Sequence, residues 1–178
     1  MIAINGHPYV PPADSFFILQ ESGGEESLQF DIHPKNPLYA QVAEEVPVVC
    51  GGQRYLIKTI NERRTVTTVT CALDLDEWKA VGHLRYQSSD QTLSSLLDNL
   101  IQIDLKDAGW THTGDELVSS KRTLELSCCT AYDIIQAAAE AYEVALQWDT
   151  GARVLQIIKP DTIEPSGAYL TDELNLTN

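Results

Sequence analysis

Four histidines, His7, His33, His83 and His112, are the side chains of this chain best suited to proton transfer near neutral pH. None lies in a His-Glu-x-x-His helix, and no Gly-x-Ser-x-Gly elbow is present to lift a serine above a sheet. Cys50, Cys71, Cys128 and Cys129 show neither Cys-x-x-Cys spacing nor a histidine at zinc-finger distance, so buried or strand-end thiols are expected rather than a metal site. The carboxylates of Asp74-x-Asp76-Glu77 are dense enough to suggest calcium, yet the stretch lacks the glycine and terminal glutamate of an EF-hand loop. It reads as solvated acid at a strand end. Gly23-Gly24 and Gly51-Gly52 read as hairpin turns, not as phosphate cradles. No catalytic, cofactor-binding or metal-binding residue is assigned, and no cofactor is expected. Trp78, Trp110 and Trp148 could stack on a sugar, but each borders an element where a core anchor would sit. Trp110, directly after Gly109, is kept as a possible contact residue together with His112, both in the stretch Gly109 to Glu116 (GWTHTGDE), which is expected to be an exposed loop.

The elements that must position these residues come in two styles. Apolar residues alternate at Leu28, Phe30 and Ile32, Val46 to Cys50 runs into Gly51-Gly52, and Gln53 to Ile60 follows. Val69, Cys71, Leu73 and Leu75 then share one face of a further run. With Ile2 to Ile4 before the turn signal Asn5-Gly6, and a strand over Phe16 to Glu21, the first eighty residues predict an antiparallel meander. Pro37 interrupts the segment Lys35 to Glu45, which reads as a connection with a helical turn at Leu38 to Val42.

After Trp78 the period changes. Leu93, Leu96, Leu97, Leu100, Ile101, Leu105 and Ala108 fall on one helical face, with Asp90 or Thr92 as cap and Gly109 as stop. Lys121 to Ser127 alternates as a strand. Thr130-Ala131-Tyr132-Asp133 has the form of a capping box opening a helix through about Tyr142, whose buried stripe would be Ile134, Ile135, Ala138, Ala139 and Tyr142. Val144 to Trp148 and Arg153 to Ile158 make a hairpin. The fold class is α+β: an antiparallel β barrel-like unit over residues 1–80, then a smaller α+β unit over 81–160 with two helices and a hairpin.

Composition narrows the function classes. A formal net charge of −14, from 26 acidic and 12 basic residues, argues against a surface that grips nucleic acid, because phosphate binding needs clustered Lys and Arg. No apolar run approaches the roughly 18 to 20 residues of a spanning helix, so no membrane contact is expected. The amino terminus does not read as a secretory signal, which points to synthesis in a cytoplasm.

Met1 to Gly6 (MIAING), Ser27 to Ile32 (SLQFDI) and above all Gly51 to Ile60 (GGQRYLIKTI) resemble the amino-terminal region of tail-tip, or baseplate hub, proteins of long-tailed phages and prophages. This is the prophage endopeptidase tail, or tail-associated lysin, family. Thr65 to Leu75 and Asp107 to Thr111 (DAGWT) extend the resemblance over most of the chain. It implies a structural subunit of the virion tail tip, made in the bacterial host cytoplasm and assembled as a homotrimeric ring that closes the tail tube. The distal tail protein would lie above, tape-measure protein or DNA within the lumen, and host cell wall below. Residues 161–178 would begin a second barrel. Two alternatives stand beside this: a peptidoglycan hydrolase whose catalytic domain lies beyond Asn178, and a carbohydrate- or receptor-binding adaptor using Gly109 to Glu116.

Overall fold

The alternating runs of the first half build one seven-stranded antiparallel sheet. Its strands are β1 (Ile2–Ile4), β2 (His7–Tyr9), β3 (Phe17–Gln20), β4 (Glu26–Ile32), β5 (Pro47–Cys50), β6 (Gln53–Glu62) and β7 (Thr67–Leu73), in the spatial order β2-β1-β5-β6-β7-β4-β3. The computed structural model describes residues 1–20 and 24–159; the expected start of a second barrel at 161–178 lies outside them. Asn5 and Gly6, with φ of 47° and 79°, and Gly51 and Gly52, with 58° and 89°, make the two tight turns that the sequence signals. Both central residues are left-handed in each turn, which matches the twist of the flanking strands.

This sheet is curled. Tyr9 on the edge strand β2 donates its hydroxyl to the Asp31 carbonyl at 2.7 Å, and its ring lies 6.0 Å from that of Phe30. In the strand order β2 is first and β4 sixth, so a flat sheet would hold them about 24 Å apart at about 4.8 Å per step. The contact is possible only because the sheet closes into a half-barrel around Ile4, Leu28, Phe30, Val48, Ile57 and Val69, all fully buried. A bulge helps the bend: Ile57 pairs with Cys71 and Thr59 with Thr70, so Lys58 is the extra residue. The bulge also switches parity, turning inward first Tyr55 and Ile57, then Ile60 opposite Val69. Lys58 leaves the ladder to meet Glu45 at 2.9 Å and Asp76 at 3.1 Å.

The second half runs α1 (Asp76–Ala80), β8 (Gly82–Thr92), α2 (Leu93–Asn99), β9 (Thr111–Thr113), β10 (Lys121–Thr130), α3 (Ala131–Tyr142), β11 (Ala145–Asp149) and β12 (Val154–Ile158). The expected capping box is present: the Asp133 amide donates to Thr130 Oγ1, and Asp133 accepts from the Thr130 amide. The predicted stripe of α3 is buried. Of the two expected caps of α2, Thr92 serves, accepting from the Ser95 amide at 3.3 Å, whereas Asp90 sits within β8.

Three expectations are corrected. The helix predicted to reach Ala108 is α-helical only to Asn99 and widens into a π-helical turn over Leu100–Asp104. Residues 82–92, where no strand was expected, form an eleven-residue strand paired antiparallel with β10. Its pattern misled because Ser88 is its only buried residue. The supposed solvated acid at Asp76 and Glu77 forms the first turn of α1, where carboxylates favour the positive helix end.

Both halves share one buried cluster. The turn between β11 and β12 inserts against the tip of the β5–β6 hairpin: Gln53 Nε2 donates to the Trp148 carbonyl at 2.7 Å, and Gln53 Oε1 accepts from the Thr150 amide at 2.8 Å. The Arg54 amide donates to Thr150 Oγ1 at 2.7 Å. A methyl group on Gly151 would sit 1.9 Å from the Gly52 carbonyl oxygen, too close for any side chain without a backbone shift. Gly151→Ala is therefore expected to lower stability by about 1–3 kcal/mol in urea unfolding. Gly82→Ala, which meets nothing within 4 Å, is expected to change it by a few tenths at most.

Candidate functional site

Trp110 comes to its place through Gly109, whose φ of 75° ends the segment after the π-helical turn. The indole then turns inward. Trp110 is 4% exposed and packs edge-to-face with Trp78 at 5.6 Å and with Trp148 at 5.8 Å, while Trp78 and Trp148 lie 5.2 Å apart. Its Nε1 donates to Glu77 Oε2 at 2.8 Å, and Arg153 Nη2 donates to the other oxygen of the same carboxylate at 2.8 Å. Arg153 also donates to the Ala108 carbonyl. Glu77, Trp110 and Arg153 thus tie α1, the segment after α2 and the β11–β12 turn together. The residue read as a possible contact is an internal anchor.

His112 lies on β9, which pairs in parallel with β12, so the stretch expected to be an exposed loop is partly a strand. His112 Nδ1 is 2.8 Å from Asp115 Oδ1, and Nε2 is 3.1 Å from Asp98 Oδ1 on α2. An ionised carboxylate only accepts, so both contacts are satisfied together only by the doubly protonated ring. Burial pulls the imidazole pKa down, but the hydrogen bonds to Asp115 and Asp98 outweigh it and the net shift is upward. Asp115 is pushed up by its own burial and pulled further down by hydrogen bonds from Ser94, His112 and the backbone, ending below the usual carboxylate range. Ser94 bonds Asp115 rather than the imidazole, and both ring nitrogens are already engaged. This is the reverse of what a serine nucleophile needs, namely a base nitrogen free to take its proton. The group is an electrostatic clamp between α2 and β9.

Three of the four thiols are equally structural, whereas Cys128 is exposed. Cys71 is fully buried and its pKa is pushed up to about 12 by burial, while Cys50 and Cys129 are also buried and raised by the same cause. Among the described residues no group of three or more His, Cys, Asp or Glu is placed to hold a metal ion, and no helix is long and apolar enough to cross a membrane. A groove of about 590 Å³ runs between α3 and β11, lined by Gly24, Gln136, Ala137, Glu140, Val144 and Leu146.

What stands out instead is surface. Phe17, Ile18 and Leu19 of β3 are 48%, 46% and 57% exposed, and β3 has only β4 beside it in the sheet. Sequence reasoning identified this strand but not its exposure. The run Phe16-Phe17-Ile18-Leu19 has the apolar character of a buried strand, and that character was the available signal once the strand is known to be an edge.

Residues 4–72, the curled sheet, match the family described as the prophage endopeptidase tail N-terminal domain. The structure is similar to prophage tail protein gp18 from Listeria monocytogenes EGD-e, with a TM-score of 0.70 at 15% identity over 90% of this chain and 50% of that one. It is also similar to the 43 kDa tail protein of prophage MuSo2 from Shewanella oneidensis, with a TM-score of 0.53 at 16% identity over 89% of this chain and 54% of that one. No curated protein matches. The chain spans about half the length of these solved tail proteins. The resemblance to the amino-terminal region of a prophage tail protein, read from Gly51 to Ile60 and its neighbours, is borne out, as is the α+β fold class.

The clamp sets a pH dependence. A histidine whose pKa is higher in the folded chain than the unfolded value of about 6.5 contributes stability that is fully present below that value and lost as pH rises through the folded pKa. The stability difference between the native chain and His112→Leu is expected to be largest at pH 5.5 and to shrink by pH 8.5. Urea unfolding at the two pH values checks this, and an unchanged difference would contradict the imidazolium assignment.

Proposed function

We propose that this protein is a structural subunit of a phage or prophage tail tip, a baseplate hub component. The observation that carries the proposal is the half-barrel of residues 4–72, which matches a prophage tail domain and leaves one apolar edge unpaired. In this reading residues 1–80 are one unit of a ring closing the tail tube and residues 81–160 a second unit braced against it. Three copies form the ring, meeting the distal tail protein on one side and the host-contacting apparatus on the other. Tape-measure protein or DNA occupies the lumen. The charge of −14 suits a wall past which DNA slides, since carboxylates repel phosphate.

The same residues do not support a hydrolytic role for this chain. Its best-placed histidine has both nitrogens committed to carboxylates, and its tryptophans pack against one another instead of presenting a sugar platform. Antibody raised against the chain and coupled to gold is expected to label the end of the tail in virions released from the lysogen. Label along the tail shaft, on the capsid, or absent from virions would refute the tip assignment. The purified chain is expected to leave a suspension of host cell wall turbid, and clearing would restore the enzymatic alternative.

A further inference from the structure

Asn5 and Gly6 form the one Asn-Gly pair of the sequence and occupy both central positions of the turn between β1 and β2. Both residues are exposed, and a methyl group on Gly6 would meet nothing within 4 Å. The Asn5 amide donates to the Pro47 carbonyl at 2.9 Å, and Asn5 Nδ2 donates to Gln41 Oε1 at 3.0 Å on the surface. The Gly6 amide has no hydrogen-bond acceptor among the described residues.

A glycine after asparagine leaves the main-chain nitrogen unshielded, because it carries no side chain. The Gly6 nitrogen, once hydroxide has taken its proton, can attack Asn5 Cγ. A bond from nitrogen to Cγ forms, the bond from Cγ to Nδ2 breaks, and ammonia leaves behind a cyclic succinimide. Water then opens the ring. Opening at the side-chain carbonyl gives aspartate at position 5 with the main chain unchanged. Opening at the main-chain carbonyl gives isoaspartate, in which Gly6 is bonded through Cγ and the former main-chain carbonyl is a free carboxylate. The other asparagines of the described residues are poorly placed for this step. Asn36 precedes Pro37, whose nitrogen has no hydrogen to lose. The Leu100 amide, which follows Asn99, donates to the Leu96 and Leu97 carbonyls, and Asn61 lies inside β6 opposite Thr68.

We propose that Asn5 is a site of spontaneous deamidation and main-chain isomerisation whose rate is set by the pairing of β1 with β2. A turn with both central residues left-handed points the Gly6 nitrogen away from the Asn5 side chain, so the closed hairpin restrains the attack and fraying permits it. β2 is three residues long and its only ladder partner is β1, with the Tyr9 hydroxyl as its tie to β4. Isoaspartate routes the main chain through one extra carbon between Ile4 and His7, which a two-residue turn cannot absorb. β2 then loses register, and Tyr9 leaves the Asp31 carbonyl and the Phe30 ring. Pro8, opposite Ala3, blunts this margin of the sheet by offering no amide hydrogen to an incoming strand, and its departure passes the margin to β1. The half-barrel thus carries a slow chemical clock on its closing strand.

The full chain tests this directly. Held folded at pH 8.5 and 37 °C and then peptide-mapped by mass spectrometry, it is expected to gain about 1 Da at position 5, with isoaspartate the major product. Conversion at Asn5 is expected to run roughly tenfold or more ahead of Asn36, Asn61 and Asn99, and to speed up by a similar factor in urea, where the turn is released. Hydrogen exchange of the isoaspartyl fraction is expected to quicken over Ile2 to Tyr9 and to stay unchanged in α3. Asn5→Asp adds the charge without the extra carbon and is expected to exchange like the parent. Asn5→Gly copies the Gly51-Gly52 turn, so it is expected to melt with the wild type and to show no mass gain in this peptide. Conversion at Asn5 no faster than at the other asparagines, no acceleration in urea, an isoaspartyl fraction that exchanges like the parent, or an Asn5→Asp chain as loosened as that fraction overturns the proposal.

Discussion

Three tryptophans packed edge to face hold this molecule together. Trp78 follows β7 on α1, Trp110 follows the π-helical turn, and Trp148 lies on β11, so the cluster joins three segments spread over the second half of the described chain. A buried tryptophan removes on the order of 200 Å² from water, worth up to about 5 kcal/mol on an area basis. The edge-to-face geometry adds to that because the positive ring edge of one indole meets the negative face of the next. Tyr132 of α3 stacks on Trp148 at 6.1 Å, and Lys79 lies 4.6 Å above the Tyr132 ring, so the cluster extends to a cation at the surface. Trp78 Nε1 is buried without a hydrogen-bond partner among the described residues, a cost of about 1–3 kcal/mol. Apolar burial outweighs it. The polar clasp of Gln53, Arg54 and Thr150 then fixes register: its hydrogen bonds are satisfied only when the β11–β12 turn sits against the β5–β6 hairpin.

Local chemistry was legible in the sequence wherever one element set its own geometry. The Thr130–Asp133 box, the stripe of α3, the turns at Asn5-Gly6 and Gly51-Gly52 and the alternation of β4 and β7 each depend on neighbours a few residues away, and each appears as read. What escaped depends on distant partners. The bulge at Lys58 exists because a curled sheet must bend there and because Glu45 and Asp76 wait outside it, neither of which shows in the run Gln53 to Ile60. β8 is mostly exposed and has no periodic apolar face to betray it; its partner β10 begins about thirty residues later. β9 is three residues long and exists through parallel pairing with β12. The same distinction explains the two residues singled out for contact. Trp110 and His112 were noticed for their chemistry, and their chemistry is used, but inwardly, on Glu77 and on Asp98 with Asp115.

The acidity of the chain is shaped by where its few cations go. Lys58 is spent on Glu45 and Asp76, Lys79 on Glu25, Arg54 on Asp74 and Arg153 on Glu77, so four of the twelve cations brace the junctions within and between the two halves. Exposed pairs of this kind contribute about 0–1 kcal/mol each. Their larger effect is on the surface field, because carboxylates without such partners remain to repel phosphate and other acidic surfaces.

A curled sheet that stops short of closure must do something with its two edges, since an open row of amides and carbonyls invites another strand. Full closure would remove both, but here Tyr9 bridges the gap through a side chain and leaves β3 outside the bridge. β3 pairs with Glu26 to Gln29 of β4, whereas Tyr9 meets Phe30 and Asp31 further along the same strand. The amino-terminal part of β4 thus carries β3 outward while its carboxyl-terminal part completes the half-barrel. Proline at the blunted edge and three large apolar side chains at the open one are opposite solutions to the same hazard, placed on the two margins of one sheet. An edge left open only by accident would be a liability that polar substitution on the solvent side could relieve. Phe17, Ile18 and Leu19 stand there instead, large and apolar on the one margin that neither a proline nor the Tyr9 bridge protects.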